Sequence, residues 1–387
     1  MKTSPPARLC LLMAATVILT LLPLVWGLAG CGATTTGSPP TPTRTPHPTS
    51  TPTPPPTSTS TPAFTPTPTP LPPDVNPLTG ERVDDPSLLD RVPVAIKISN
   101  WPGQYVWPQA GIASADLIFE HYNEGWFATR WTAVYLGEAD RVGPVRSGRL
   151  IDLEIPAIYK AVLACWGFSD GVLALFRDSD LYPDRVVSYS LPETLDPDPF
   201  YRDFSRDVPL EHTGYTDPAR VRAWAEAHGV SGRQAGLEGM VFSEEPPAEG
   251  EPATYVYIPW RELDAEWYYD EASGRYLRWS DGSRHTDALN GQQLSAANVV
   301  VLYVPQWDTD IVEEPHSGAL SIQFALWHSN RAIIFRDGLR IDAFWQRWDR
   351  EDMLTLTDEE GNPIPLKVGN TFFEVIPTEG LEVVVEP

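Results

Sequence analysis

The sequence is poor in cysteine, with only Cys10, Cys31 and Cys165 among 387 residues. If the N-terminal segment is cleaved before Cys31 and Cys31 is modified, Cys165 stands alone and no intramolecular disulfide can form. It lies in the apolar run Ala161-Val162-Leu163-Ala164-Cys165-Trp166, where a buried, inert thiol is expected. Positive charge is scarce too: 28 Lys and Arg stand against 52 Asp and Glu. The first 73 residues hold Lys2, Arg8 and Arg44 and no acid, so residues 74–387 carry a formal charge of −27. A body that negative is repelled by phosphate backbones and anionic headgroups, which excludes nucleic acid as a partner. Metal-ligand spacing is also missing. There is no H-E-x-x-H and no CxxC pair, and His212, His228, His285, His316 and His328 are scattered. Neither a metal nor a cofactor is expected.

A long apolar run occurs at the start, from Leu9 to Val25, behind the positive Lys2 and Arg8. It ends in Leu28-Ala29-Gly30-Cys31, small residues directly before a cysteine, which resembles a bacterial lipoprotein signal. That resemblance implies a signal peptide over 1–30 and acylation of Cys31, anchoring the protein to the outside of the cell membrane; the alternatives are an uncleaved transmembrane anchor and ordinary secretion. Several acyl chains would hold it there stably, where one binds only marginally. Residues 31–75 form a Pro/Thr/Ser-rich stalk, as in Thr65-Pro66-Thr67-Pro68-Thr69-Pro70. Such composition cannot bury enough apolar surface to fold, and proline stiffens it toward an extended helix.

From residue 76 the pattern becomes that of a globular chain. Val92–Ile98, Leu117–Tyr122, Thr129–Leu136 and Ala161–Trp166 read as strands. Leu150–Ile155 reads as a helix ending before Pro156, and Val172–Phe176 as another. Asp217-Pro218 starts a third helix, with Val221, Trp224 and Ala225 on one face. Residues 76–245 therefore read as an α/β layered domain. The charged linker Glu244–Pro252 marks the boundary. Beyond it, 246–387 shows short β runs punctuated by Asp281-Gly282, Asp337-Gly338 and Glu360-Gly361-Asn362, an antiparallel β-rich domain. The fold class is α+β. The second part is rich in aromatics (Trp260, Trp267, Tyr268, Tyr269, Tyr276, Trp279, Trp307, Trp327, Trp345, Trp348). Sheet packing is the main use expected of them, a glycan platform the other.

Gly143-Pro144-Val145-Arg146-Ser147-Gly148-Arg149 places two arginines and a serine on a Gly/Pro-broken turn inside an acidic body. Two guanidiniums three residues apart can converge on one carboxylate or phosphate, or can pair with the chain's own acids. This turn, PLTG (77–80), Val94-Ala95-Ile96 with Asn100, Pro108–Gly111, Ala115–Glu120, Glu124-Gly125, Thr129-Arg130, Ala297–Val301, Val368–Thr371 and Ile376-Pro377 resemble the YerB-like family. Its members are bacterial proteins named as lipoproteins, with N- and C-terminal parts of no settled function. Two departures stand out: Gly148 replaces the family's usual alanine, and the family's Arg…Ala-Pro-His-Asn segment is only loosely met by Arg206, Pro209 and His212.

Three functional classes follow. The first is an envelope ligand-binding module with an anion-accepting cleft formed by Asn100, Glu120, Arg130, Arg146, Ser147, Arg149, Ser169 and His212. Its ligand would be a cell-wall component such as a peptidoglycan fragment, because loops on a rigid scaffold carry function. The second is a cell-envelope hydrolase. Gly167-Phe168-Ser169-Asp170-Gly171 matches G-x-S-x-G between an apolar strand and a helix, and His212 follows Asp196, Asp198, Asp203 and Asp207 as a triad would require. Asp116, Glu120, Glu124 and Asp152 offer carboxylate pairs for glycoside cleavage. The third is an assembly protein that docks an envelope protein partner through its aromatic β part.

Overall fold

The computed structural model describes residues 71–387; the expected signal peptide, Cys31 and nearly all of the expected stalk lie outside the described residues. No helix among the described residues is long and apolar enough to cross a membrane. The elements that position the site are β1 (Val94–Ser99), β2 (Leu117–Tyr122), β3 (Thr129–Tyr135), β4 (Val162–Cys165), α1 (Asp170–Arg177), β5 (Val186–Ser188) and α2 (Pro218–Ala227). After the linker come β6 (Tyr255–Pro259), β7 (Asp264–Asp270), β8 (Arg275–Ser280), β9 (Asn298–Val304), β10 (Gln306–Glu314) and β11 (Ala319–Phe324). The chain closes with β12 (His328–Arg336), β13 (Leu339–Arg347), β14 (Thr355–Thr357), β15 (Thr371–Pro377) and β16 (Val384–Glu386).

One large mixed sheet runs in the order β14-β13-β12-β9-β15-β2-β3-β1-β4-β5. Its central strands β1, β2, β3 and β9 are buried at every position and β15 at all but Pro377, as mainly apolar strands are when both faces are covered. The second sheet, β8-β7-β6-β16 with short edge segments, is antiparallel, and β6, β7 and β8 alternate in burial because only one face meets the core. The α+β reading holds, with mixed pairing in the N-terminal part and mainly antiparallel pairing after it. β15 inserts beside β2, in parallel register from Leu117–Thr371 to His121–Val375, so residues 76–245 and 246–387 meet inside one sheet. A single core cluster spans both.

Local chemistry explains most boundaries. Asp217 caps α2 by accepting from the Arg220 amide at 2.9 Å, and Val221, Trp224 and Ala225 are its buried residues. Both Asp-Gly hairpins have positive φ at each turn residue: Asp281 48° and Gly282 67°, Asp337 53° and Gly338 72°. The expected helix Leu150–Ile155 is instead a tight turn over Leu150–Leu153, followed by a separate turn of helix, Ile155–Ile158. Pro156 sits in the first turn of the latter, where its missing N–H is harmless, so it begins a helix rather than ending one. Of the aromatics, Trp260, Trp267, Tyr276 and Trp345 are core residues, whereas Tyr268, Trp307, Trp327 and Trp348 are exposed.

Candidate functional site

Six strands of the large sheet (β9, β15, β2, β1, β4 and β5) point the same way, with β3 reversed among them. Their carboxyl ends therefore lie along one edge. The arginine turn is fixed there between β1 and β4. The Ser99 amide donates to Pro144 O at 2.9 Å, Arg146 N to Lys97 O at 2.9 Å, and Trp166 N to Arg146 O at 2.9 Å. Gly148 N donates to Gly167 O at 2.9 Å, which ties the turn to the Gly167–Gly171 segment.

The guanidiniums of this turn differ in their partners. Arg149 donates through Nε to Glu124 Oε2 at 2.8 Å, with Nη2 at 2.7 Å, and Glu313 lies 3.6 Å away. Arg130, reaching in from β3, donates to Ser147 O at 2.9 Å and lies 3.4 Å from Glu124. Burial alone would raise Glu124, but the charges of Arg130 and then Arg149 outweigh it and hold the carboxyl at about 2. Arg146 has no carboxylate within ion-pair distance among the described residues. Its Nη1 donates to the Glu211 carbonyl at 3.2 Å, and its buried Nε has no partner. Burial and then Arg149 act against its charge.

Next to Arg146 comes His212, buried and stacked on Tyr105 at 5.6 Å, with no partner for Nδ1. Burial and then Arg146 lower its pKa to about 4, so the imidazole is neutral at physiological pH. Ser169 Oγ is likewise buried and unpartnered, so no Ser169–His212 hydrogen bond exists. Ser169 has φ −69° and ψ 159°, ordinary extended backbone at the start of α1, not the strained turn of a nucleophile elbow. The glycines of its motif serve packing: a Cβ on Gly171 would lie 2.6 Å from Ile311 of β10, and one on Gly167 3.0 Å from Ser190 Oγ. Burial pushes the nearby Cys165 thiol up to about 12, so it is inert.

Asn100 and Glu120 belong to a different place. Glu120 lies on the face of β2 opposite Arg130, because Arg130 registers with His121. Asn100 donates to Glu120 and to Thr129 Oγ1, both at 2.9 Å, and accepts from Trp107 Nε1 at 3.1 Å and Gln109 Nε2 at 3.0 Å. Both ends of the Asn100 side-chain amide are used inside the protein.

The chain matches the N-terminal domain of a family described as protein of unknown function, DUF3048, over residues 78–231, and its C-terminal domain over 256–373. It belongs to the DUF3048 family. A Bacillus subtilis (strain 168) protein named "Putative lipoprotein YerB" is 22% identical over 307 residues, 78% of this chain and 86% of that one. The crystal structure of YerB protein from Bacillus subtilis is similar with a TM-score of 0.63 at 22% identity, covering 80% of this chain and 99% of that chain. At that identity the likeness is one of fold.

This DUF3048 member also holds two buried polar networks, one on each face of the sheet, that sequence reasoning missed. On one face Arg278 of β8 donates to Glu120 Oε2 at 2.6 Å and to Glu374 Oε1 at 3.1 Å, among the rings of Trp131, Trp267 and Phe372. Burial, and then the neighbouring Glu120, push the Glu374 carboxyl up to about 8, and its Oε2 has no partner. On the other face Lys97 Nζ lies 2.8 Å from Asp152 Oδ2 and donates to Thr132 Oγ1 at 2.9 Å. An ammonium has no acceptor, so His121 Nε2 accepts from Lys97 at 2.6 Å and His121 Nδ1–H donates to Tyr122 O at 2.7 Å. Burial lowers Lys97 to about 8 despite Asp152. The available signal was charge inside apolar strands, as in Val94-Ala95-Ile96-Lys97-Ile98 and Phe372-Phe373-Glu374-Val375.

Proposed function

We propose that this protein is a lipid-anchored, extracytoplasmic binding module that receives the carboxylate or phosphate of a cell-envelope component, such as a peptidoglycan fragment, at Arg146. The observation that carries this reading is the uneven pairing of the arginine turn. Arg149 and Arg130 share Glu124, while Arg146 keeps a buried Nε without an acceptor and lacks an acid of its own among the described residues. A half-buried guanidinium in that state gains from a bidentate anion, and Ser169 Oγ and His212 Nδ1 are further unpaired groups on neighbouring segments. The neutral His212 adds a hydrogen bond without competing charge. Arg130 and Ser147 fix the turn, and Arg149 orients it through Glu124.

The anchor is read from Leu28-Ala29-Gly30-Cys31 together with the relative's name. Cys31→Ser should move the protein from the membrane fraction to the soluble one; unchanged membrane association would reject acylation at this position. For the binding reading, calorimetry with muramyl dipeptide and with inorganic phosphate compares the wild type with Arg146→Ala. The expected result is a loss of affinity of about tenfold or more in the variant. Equal affinity in a variant of unchanged melting temperature would overturn it.

A further inference from the structure

We infer that a second binding site, for the ring of a saccharide, lies on the same sheet edge at the carboxyl ends of β2, β15 and β9. A cleft of about 560 Å³ opens there, lined by Tyr122, Trp126, Arg261, Gln306 and the Thr378–Leu381 loop. Tyr122 ends β2, Gln306 lies two residues beyond β9 and Thr378 directly follows β15, three adjacent parallel strands whose carboxyl ends are the place where open sheets receive ligands, while Arg261 comes from just beyond β6 of the second sheet.

Trp126 is held in place from both ends. Its backbone has φ 56°, in the left-handed region that few non-glycine residues adopt, next to Gly125 at 68°. Its indole Nε1 donates to Asp308 Oδ1 at 2.7 Å, and its ring meets Tyr122 edge-on at 5.6 Å, with Tyr122 in turn edge-on to Trp260 at 4.7 Å. The result is a fixed, half-buried indole at a cleft wall, the surface on which the C–H face of a pyranose packs.

The polar groups fit hydroxyl or N-acetyl recognition. Gln306 is oriented by its own Nε2, which donates to Val375 O at 3.3 Å, while its Oε1 is shielded from solvent and has no donor. A shielded acceptor without a donor is costly, so it gains from an O–H or N–H brought to it. Arg261 makes no ion pair among the described residues and is exposed, so its donors are available to ring oxygens. A rigid aromatic wall with a few fixed polar groups is the composition of a sugar site rather than a lipid groove, which would be apolar throughout. This cleft and the arginine turn are joined by one short segment: Glu124 grips Arg149, and Trp126 follows two residues later.

Saturation-transfer NMR and calorimetry on the full chain, with chitotetraose and cellotetraose as probes, test the site. Saturable binding of at least one probe is expected, weakened about tenfold or more by Trp126→Ala and by Gln306→Ala, and unchanged by Arg146→Ala. Insensitivity to Arg146→Ala separates this site from the anion site, so either can fail alone. Should Trp126→Ala not fold, Gln306→Ala decides. The inference is overturned if neither probe binds up to roughly 10 mM, or if a folded Trp126→Ala or Gln306→Ala variant binds as the wild type does.

Discussion

Glu120 and Glu374 stand side by side on the parallel strands β2 and β15, and one guanidinium, Arg278, serves both. One cation can neutralise one carboxylate; a second ionised acid would leave a bare negative charge in the interior. Glu374 therefore keeps its proton, in line with its pKa of about 8.

The sign of the pH effect follows from that. A carboxyl raised from an ordinary 4.5 to about 8 contributes stability fully below its unfolded value, and this is lost as pH rises through its folded one. Glu374→Gln keeps the neutral form at all pH. Urea unfolding should show the variant gaining on the wild type between about pH 5 and pH 9. Arg278→Met, which strands the Glu120 charge, should cost about 3–5 kcal/mol at neutral pH. Equal losses in the two variants, with no pH trend between wild type and Glu374→Gln, would show that Glu374 is ionised.

Arg149 and Arg146, three residues apart, should separate in stability. Arg149→Ala leaves the buried side of Glu124 short of its nearest cation, so thermal unfolding should report a loss of about 3 kcal/mol. Arg146→Ala removes one hydrogen bond to a carbonyl and should stay within about 1 kcal/mol. Glu124, held at about 2, contributes stability above the ordinary carboxylate value that is lost as pH falls toward 2. The acid limb of the wild-type pH–stability curve should accordingly be flattened in Glu124→Gln. An Arg146→Ala variant as unstable as Arg149→Ala would mean that Arg146 is a structural residue.

Much of this architecture was legible in the residues. β2 begins and ends where the apolar run Leu117–Tyr122 does, and the two Asp-Gly pairs turn as hairpins because both positions tolerate left-handed backbone. What stayed hidden was long-range. β10 reads Gln306-Trp307-Asp308-Thr309-Asp310, too polar to announce a strand, and exists because β11 pairs with it. Likewise no local pattern states that β15 lies between β2 and β9, so the meeting of Glu120 with Glu374 could not be read from either segment. The arginine turn was recognisable by its composition. The unequal engagement of its guanidiniums was not, because Glu124 and Glu313 reach Arg149 from distant parts of the chain.

Gly148 and Phe168 form the last test. The family resemblance of the arginine turn implies alanine at the position where this chain has Gly148, and a Cβ built there would lie 2.4 Å from Phe168 Cε1 and 3.3 Å from Cys165 Sγ. The Phe168 ring cannot simply yield, because it packs at 4.3 Å against Phe176 of α1 and its amide is held by Ser190 Oγ at 2.9 Å. Gly148→Ala should therefore destabilise by about 1–3 kcal/mol, the cost of overpacking, rather than stabilise as a glycine replacement in an open loop would. Phe168→Leu alone should also destabilise, by opening a small cavity. In the double variant the added methyl occupies that space, so calorimetric melting should show a combined loss smaller than the sum of the two single losses. Strict additivity would mean that the ring and the glycine do not share this space, and that the departure from alanine has another cause.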